Sequence, residues 1–225
     1  VSAAATPSIA IDGTGAPVVA WTADHAGGRD IRVARWNAGS GQWEALGGSL
    51  AAGGISATGT ATVARIVATA SGPTVVWLDG NAGEQRLYAR SLVAGVWQEA
   101  AAGSASGNGI AGGSLATDVR DLAVASEGTR VAVAWTQMSG GVRQVFLREL
   151  SGGGFAALSG SASGTGVSGI ADVALAGTVA HNTTPSLAYL GSQLYVAWQA
   201  YADQGATLAV ASFDTTPARS LSLVD

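Results

Sequence analysis

The chain has 225 residues, and its 11 basic and 15 acidic side chains give a formal net charge of -4 at pH 7. Charged residues make up only 12% of it, the basic residues are all arginine, and it has no cysteine and only two histidines. This composition excludes disulfides, thiolate or lysine chemistry and a histidine-rich metal site, and it provides no basic surface for nucleic acid or an anionic membrane.

The sequence predicts no membrane insertion. The mean hydropathy is +0.30, but no run of about 18 apolar residues occurs. Residues 1–5 lack the charged and apolar regions of a signal peptide and are compatible with the end that a signal peptidase leaves. We therefore expect a secreted, periplasmic or cell-surface protein. The 33 glycines indicate many tight turns, since glycine accepts the positive φ that such turns need.

In chain order, each of four segments starts with an alternating apolar run, turns at a glycine, and enters a second run that ends in tryptophan. The turns are at residues 12–15, 71–72, 127–128 and 191–192. The tryptophans are Trp21, Trp77, Trp135 and Trp198. Their intervals of about 56, 58 and 63 residues lie in the range of propeller repeats.

After each tryptophan a polar turn leads to a third run and then to a short fourth run. The third runs are 31–35, 86–90, 144–148 and 207–211, and the fourth runs lie around Trp43, Trp97, Phe155 and residues 220–223. No helical stripe of apolar residues competes with this pattern. We therefore predict an all-β fold, a β-propeller of four four-stranded antiparallel blades. We predict a single domain, residues 1–225, with approximate repeats 5–62, 63–118, 119–183 and 184–225.

A meander of this size cannot cover both of its own faces, and stacking against neighbouring blades solves that problem. Large apolar residues of the second strands would then pack between blades. We predict this wedge role for Trp21, Trp77, Trp135 and Trp198. Whether four blades close a ring alone stays open at this point: the chain could also form part or half of a larger ring, join a second chain, or belong to a longer array.

The segments Pro7-Ser8-Ile9-Ala10 and Pro185-Ser186-Leu187-Ala188, each followed by a turn and a strand ending in tryptophan, carry a resemblance. They resemble the repeats of bacterial secreted or cell-surface β-propeller proteins. The resemblance implies a lectin-like or adhesin-like protein, although fold alone does not define function.

Motifs that carry chemistry are scarce. The glycine patterns at 107–112 and 164–169 fit the dinucleotide fingerprint, but no helix is expected to follow either, so we interpret them as blade connections. His25 and His181 lie in loops without a nucleophile motif. Three acids near the expected axis are Asp118, Asp121 and Asp172, but no arginine cluster or base accompanies them. Residues 79–84 suggest calcium only by composition, which leaves calcium open. We predict no catalytic residue, no metal and no cofactor.

The loop face of the propeller is the best candidate for binding. The predicted ligand-binding residues are Asp24, His25, Arg29, Asp79, Asn81, Gln137, Tyr201 and Asp203. Such a polar, neutral-to-acidic face suits sugar hydroxyls. The first hypothesis is a non-enzymatic extracellular module that recognises a glycan or a protein. The alternative is a structural subunit of a surface layer, filament or larger complex, with homo-oligomers possible. A glycan-acting enzyme ranks third.

Overall fold

A computed structural model describes residues 4–112, 118–170, 179–202, 205–215 and 221–223. The chain divides into two compact units, Val1–Leu115 (unit 1) and Ala116–Asp225 (unit 2). Among the described residues, strands dominate and no helix is long and apolar enough to cross a membrane. The all-β prediction is confirmed.

Unit 1 contains two antiparallel meanders, each a sheet of four strands in sequence order. The strands are β1 (Ala4–Ile11), β2 (Pro17–His25), β3 (Gly28–Asn37) and β4 (Gln42–Ala45), then β5 (Ala61–Thr69), β6 (Gly72–Asp79), β7 (Arg86–Val93) and β8 (Val96–Glu99). A single parallel bridge joins Arg29 on β3 to Thr60, just ahead of β5.

Unit 2 repeats this arrangement with two further meanders. The elements are β9 (Arg120–Glu127), β10 (Arg130–Ser139), β11 (Val142–Ser151), β12 (Gly154–Ala156), α1 (Gly166–Ile170), β13 (Val179–Leu190), β14 (Gln193–Ala202), β15 (Gly205–Asp214) and β16 (Leu221–Leu223). Here too one parallel pair, Arg143 with His181, joins the third strand of one meander to the first strand of the next. That four such meanders form the whole ring stays a prediction, as do the repeat limits.

Tryptophans of the second strands form the core between the two meanders of each unit. In unit 1, Trp77 is 1% exposed and packs in one cluster with Ala20 and Val33 of the first meander. In unit 2, Trp198 is equally buried and packs with Ala134 and Leu147. The receiving side chains are small or branched, so the indole fills the space between the sheets. Burial of such a ring is worth several kcal/mol, at about 25 cal/mol per Å².

The other two tryptophans occupy the same strand position with different surroundings. Trp135 on β10 is also buried and stacks on Phe146 with ring centroids 6.0 Å apart. Trp21 on β2 is only half-buried. The wedge role of all four rings stays a prediction.

Buried indoles need an acceptor for their N–H group. Trp77 Nε1 donates to Asp79 Oδ2 over 3.0 Å, and Trp198 Nε1 donates to Asn182 Oδ1 over 3.0 Å. Trp135 Nε1 donates to Gln137 Oε1 over 3.1 Å. The acceptor differs in each case, but each ring is fixed in its orientation as well as in its place.

The glycine patterns are blade connections, as interpreted, although one of them contains the single helical turn α1, where no helix was expected. In three connections a glycine of positive φ lies on a third-strand carbonyl, and a Cβ there would approach the oxygen to between 2.0 and 2.2 Å. The pairs are Gly54 with Ile31, Gly109 with Leu87, and Gly166 with Val145. Only glycine permits that approach.

Candidate active site

Unit 2 has a cleft of about 590 Å³ at the end of the sheet where β9, β11 and β13 begin. It is lined by Arg120, Met138, Arg143, His181, Thr183 and Tyr201. Antiparallel strands bring the starts of odd-numbered strands and the ends of even-numbered strands to one edge, which is why residues far apart in sequence meet here.

Two arginines hold one carboxylate beside this cleft. Asp118 Oδ1 accepts a hydrogen bond from Arg120 Nε over 2.6 Å, and its Oδ2 pairs with the Arg143 guanidinium, which also donates to the Asp118 carbonyl. Burial opposes ionisation of Asp118, but the hydrogen bonds from Arg120 and Arg143 outweigh it and lower the pKa of this carboxyl below its ordinary value. Asp118 is therefore an anion at neutral pH.

A second carboxylate follows three residues later on β9. Asp121 lies in a β-bulge, where the register against β10 shifts between Ala134 and Thr136, and its φ is 51°. The Thr136 hydroxyl donates to Asp121 Oδ2 over 2.7 Å. A positive φ is uncommon for a residue with a side chain and clusters at functional sites. The bulge turns the carboxylate out of the regular strand alternation.

His181 and Tyr201 contribute polar groups to the same cleft. His181 Nδ1 accepts the Arg143 backbone N–H over 3.3 Å. With Nδ1 as an acceptor, the ring carries a proton on Nε2 and can donate a hydrogen bond from there. Both side chains are exposed, Tyr201 by 39%. The cleft thus presents anionic, cationic and neutral hydrogen-bonding groups together.

Below the cleft, amide side chains connect the two meanders of unit 2. Asn182, which accepts from Trp198, donates from Nδ2 to the Arg143 carbonyl over 3.1 Å and to Gln144 Oε1 over 3.0 Å. Ser168 also donates to Gln144 Oε1, and its hydroxyl accepts the Val145 N–H. This buried network fixes the start of β13 against β11, and with it His181 and Arg143.

Unit 1 has a corresponding cleft of about 530 Å³. Four of the predicted ligand-binding residues line it: Asp24, His25, Arg29 and Asn81. Asp24 Oδ1 accepts a hydrogen bond from Arg29 Nε over 2.5 Å, and this bond lowers the pKa of Asp24. The two charges compensate each other at the rim.

His25 is held at this cleft by a buried carboxylate. Its Nδ1 accepts the Gly27 N–H over 3.0 Å, so Nε2 carries the proton and donates to Asp30 Oδ2 over 2.6 Å. Asp30 is 1% exposed, and its Oδ1 accepts from the Ser56 hydroxyl and from the N–H groups of Thr58 and Gly59. Burial opposes ionisation of Asp30, but these hydrogen bonds outweigh it and lower its pKa.

The remaining predicted ligand-binding residues lie elsewhere. Asp79 is buried, and its carboxylate accepts hydrogen bonds from Trp77, Thr58 and Thr60. Gln137 accepts from the Trp135 indole. Tyr201 lines the unit 2 cleft, and Asp203 lies outside the described residues. So does Asp172, the third acid of the sequence analysis. Among the described residues, no group of three histidines or carboxylates is placed to hold a metal ion.

Sequence reasoning considered Asp118 and Asp121 but set them aside because no arginine cluster accompanied them. The structure supplies that cluster, Arg120 and Arg143, the second from 25 residues away. Asp30 was not among the predicted ligand-binding residues. It is the third residue of β3, and nothing in the local sequence indicates its contacts with residues 56–59.

No protein-family model matches this chain, and no match was found among curated proteins. Solved structures do match. A thermostable family-43 glycoside hydrolase is 10% identical, with 97% of this chain and 74% of that chain covered and a TM-score of 0.50. An α-L-arabinanase of Penicillium chrysogenum, solved with arabinobiose, is 8% identical, with 98% and 66% covered and a TM-score of 0.55. The shared fold is a β-propeller.

These comparisons correct the functional prediction. A non-enzymatic binding module, and its alternative of a structural subunit, are overturned because the solved proteins that share the fold are glycoside hydrolases. The lectin-like and adhesin-like part of the resemblance is likewise unsupported, whereas its propeller part is confirmed. The prediction that the chain is not an enzyme is wrong for the same reason.

Proposed function

We propose that this chain is a secreted glycoside hydrolase whose active site is the unit 2 cleft. The observation that carries the proposal is the pair of carboxylates beside that cleft, Asp118 and Asp121, together with the arginines that accompany them. Hydrolysis of a glycosidic bond usually requires two carboxyl groups, one that protonates the leaving oxygen and one that activates water or attacks the sugar.

The environments of the two carboxyl groups suggest different roles. Asp118 is kept ionised by two guanidinium groups, which suits the carboxylate that takes a proton from water and faces the positive charge of the transition state. Asp121 has one oxygen engaged with Thr136, which leaves Oδ1 to carry a proton to the glycosidic oxygen. In the resulting step, water bonds to the anomeric carbon as the bond to the leaving sugar breaks. Asp118 takes one proton from the water, and Asp121 gives one proton to the leaving oxygen.

The other groups of the cleft fit a sugar. The His181 Nε2–H and the Tyr201 hydroxyl are donors on the exposed surface of the cleft, and sugar hydroxyls need such donors at fixed positions. Arabinose-containing glycans are the first substrates to test, because the Penicillium structure holds arabinobiose. Polymeric glycans are also suitable test substrates for a secreted enzyme.

The test is hydrolysis of arabinan, xylan and aryl α-L-arabinofuranosides by the wild type and by Asp121→Asn and Asp118→Asn. We expect both variants to lose at least about 10³-fold in kcat/KM. Glu127→Gln is the matched control, because Glu127 ends the same strand at the opposite edge of the sheet and is exposed; it should retain full activity.

A leaving-group series separates the two roles. A 2,4-dinitrophenyl glycoside needs no protonation, so Asp121→Ala should recover most of its activity on that substrate, whereas Asp118→Ala should not. Absence of hydrolysis by the wild type on all substrates, or full activity of both asparagine variants, would refute the proposal.

A further inference from the structure

The unit 1 cleft occupies the same position in its unit as the unit 2 cleft. The bridge between meanders joins Arg29 to Thr60 in unit 1 and Arg143 to His181 in unit 2. Each arginine pairs with a residue three positions after the second-strand tryptophan, Asp24 in one unit and Met138 in the other. The two clefts are therefore built at equivalent points of a duplicated arrangement.

The reactive carboxylate has no counterpart in unit 1. Thr6 lies in the bulge that corresponds to that of Asp121, with φ 50° against 51°. Its hydroxyl lies 3.3 Å from that of Thr22, as Asp121 contacts Thr136 in unit 2. A threonine hydroxyl can bond to a sugar but cannot act as an acid at neutral pH.

The polar wall of the unit 1 cleft is nevertheless rigid. Both ring nitrogens of His25 are engaged, and the buried Asp30 behind it has four hydrogen-bond donors from two segments, His25 and residues 56–59. A Cβ on Gly28 would approach the Gly59 carbonyl oxygen to 2.2 Å, so the β2–β3 turn lies directly on the chain entering β5. Such preorganisation lowers the entropic cost of binding a ligand.

The lining of this cleft selects for a neutral ligand. Asp24 and Arg29 form an ion pair, so neither charge is left to attract an anion or a cation. Besides the His25 imidazole, the other polar side chains are hydroxyl and amide groups, Thr60, Thr62, Asn81 and Gln85. Groups that both donate and accept hydrogen bonds match the hydroxyls of a neutral oligosaccharide.

We propose that the unit 1 cleft is a second, non-hydrolytic binding site for a neutral oligosaccharide. The inference rests on the proposed function for its ligand class, because the equivalent cleft of unit 2 is assigned there to a sugar. A glycan chain held at unit 1 would raise the local concentration of bonds available for hydrolysis.

The test measures binding without turnover. Arabinotriose and xylotriose are titrated into the Asp121→Asn protein by calorimetry, and saturation-transfer NMR follows contacts to the protein. We expect two sites per chain for at least one of the trisaccharides. Asn81→Ala, in an exposed turn, and His25→Ala should each weaken one of the sites at least about 10-fold, and Gln42→Ala, exposed on β4, is the matched control that should change neither.

A single site per chain that is unaffected by Asn81→Ala and His25→Ala would overturn the inference, as would binding of neither sugar. Its failure differs from failure of the proposed function. If the wild type has no hydrolytic activity but binds a trisaccharide in a way that depends on Asn81, only the second binding site is supported. If the wild type hydrolyses glycans but has a single binding site per chain, only the active site is supported.

Discussion

The two clefts differ in where the carboxylate lies: beneath the cleft in unit 1 and at the β-bulge in unit 2. Unit 1 buries an ionised Asp30 beneath its cleft and has Thr6 at the bulge, whereas unit 2 has the neutral Gln144 beneath and Asp121 at the bulge. Asp30 and Gln144 hold the same ladder position, since each faces the residue two positions after a second-strand tryptophan. A support role tolerates either group if every hydrogen bond is made, whereas the proposed chemical role depends on the carboxylate at the bulge.

The tryptophan cores of the two units also use different polar groups for the same purpose. A carboxylate receives the Trp77 indole in unit 1 and an amide receives the Trp198 indole in unit 2. Packing determines that an indole fills the space between the meanders. The indole N–H requires only that some hydrogen-bond acceptor is present.

The largest effect is expected when unit 2 receives the bulge residue of unit 1. Asp121→Thr should preserve the fold, because a hydroxyl pair such as Thr6 with Thr22 can replace the bond to Thr136. Hydrolysis should fall about 10³- to 10⁴-fold, or ~4–5.5 kcal/mol of transition-state stabilisation. Steady-state kinetics and circular dichroism measure the two effects. Retained activity would show that the two bulges are functionally alike.

Truncation of the core tryptophans should have the next largest effect. Trp77→Ala and Trp198→Ala each leave a large cavity between meanders and should cost about 3–5 kcal/mol of unfolding free energy. Trp21→Ala should cost less than half as much, because Trp21 is only half-buried. Urea unfolding followed by circular dichroism gives these values, and an equal loss for all three would contradict the difference in packing.

The two indole acceptors offer a direct comparison of smaller size. Asp79→Ala leaves Trp77, Thr58 and Thr60 without an acceptor and should cost about 2–3 kcal/mol. Asn182→Ala should cost about 1–2 kcal/mol, since one indole and two acceptors are affected. Chemical denaturation of both variants, with Gln42→Ala as the control, measures these losses of unfolding free energy. A larger loss for Asn182→Ala than for Asp79→Ala would show that burial of the Asp79 carboxyl group destabilises the fold.

Acid should loosen unit 1 before unit 2. The pKa is lowered in the fold for Asp12, Asp24, Asp30 and Glu99 of unit 1, and for Asp118 of unit 2. A carboxyl with a lowered folded pKa contributes stability above its unfolded pKa of about 4, and that contribution is lost as the pH falls further.

Hydrogen exchange between pH 7 and pH 3, corrected for intrinsic rates, should therefore show the larger loss of protection in unit 1. Asp30→Asn should cost about 1–2 kcal/mol at neutral pH and should reduce the acid effect around residues 56–59. Equal loss in both units, unchanged by this substitution, would contradict the prediction.

The strand pattern could be predicted from the sequence because its signals are local. Alternation with period two, a glycine turn and a terminal tryptophan define each meander within about 20 residues. The one-turn helix α1 was not predicted because the glycines around it disfavour a helix in isolation. Contacts of Gly166 and Ser168 with β11 fix the chain there.

The candidate active site depended on contacts that no local pattern gives. Asp118 meets Arg143 only because β9 and β11 flank β10 in the sheet. Asp121 is half-buried and lies in a bulge whose position follows from register rather than composition. The loop face was predicted to bind ligands, and in unit 1 four of the predicted residues share a cleft. In unit 2 the same reasoning selected Tyr201, which lines the cleft, and Gln137, whose side chain accepts a hydrogen bond from an indole.

The glycine contacts on the third strands bear on how such a chain can change length. Each connection is held on its third strand at a few points, such as the hydrogen bonds of the Ile55 N–H and the Ser49 hydroxyl to β3, so residues between such points can be added or removed without moving the blades. The unequal intervals between the tryptophans are what such tolerance produces. Peptide insertions at the exposed residues 51–52 are therefore suitable for attaching new segments, whereas an alanine at position 54 would displace the β3 carbonyl on which the connection rests.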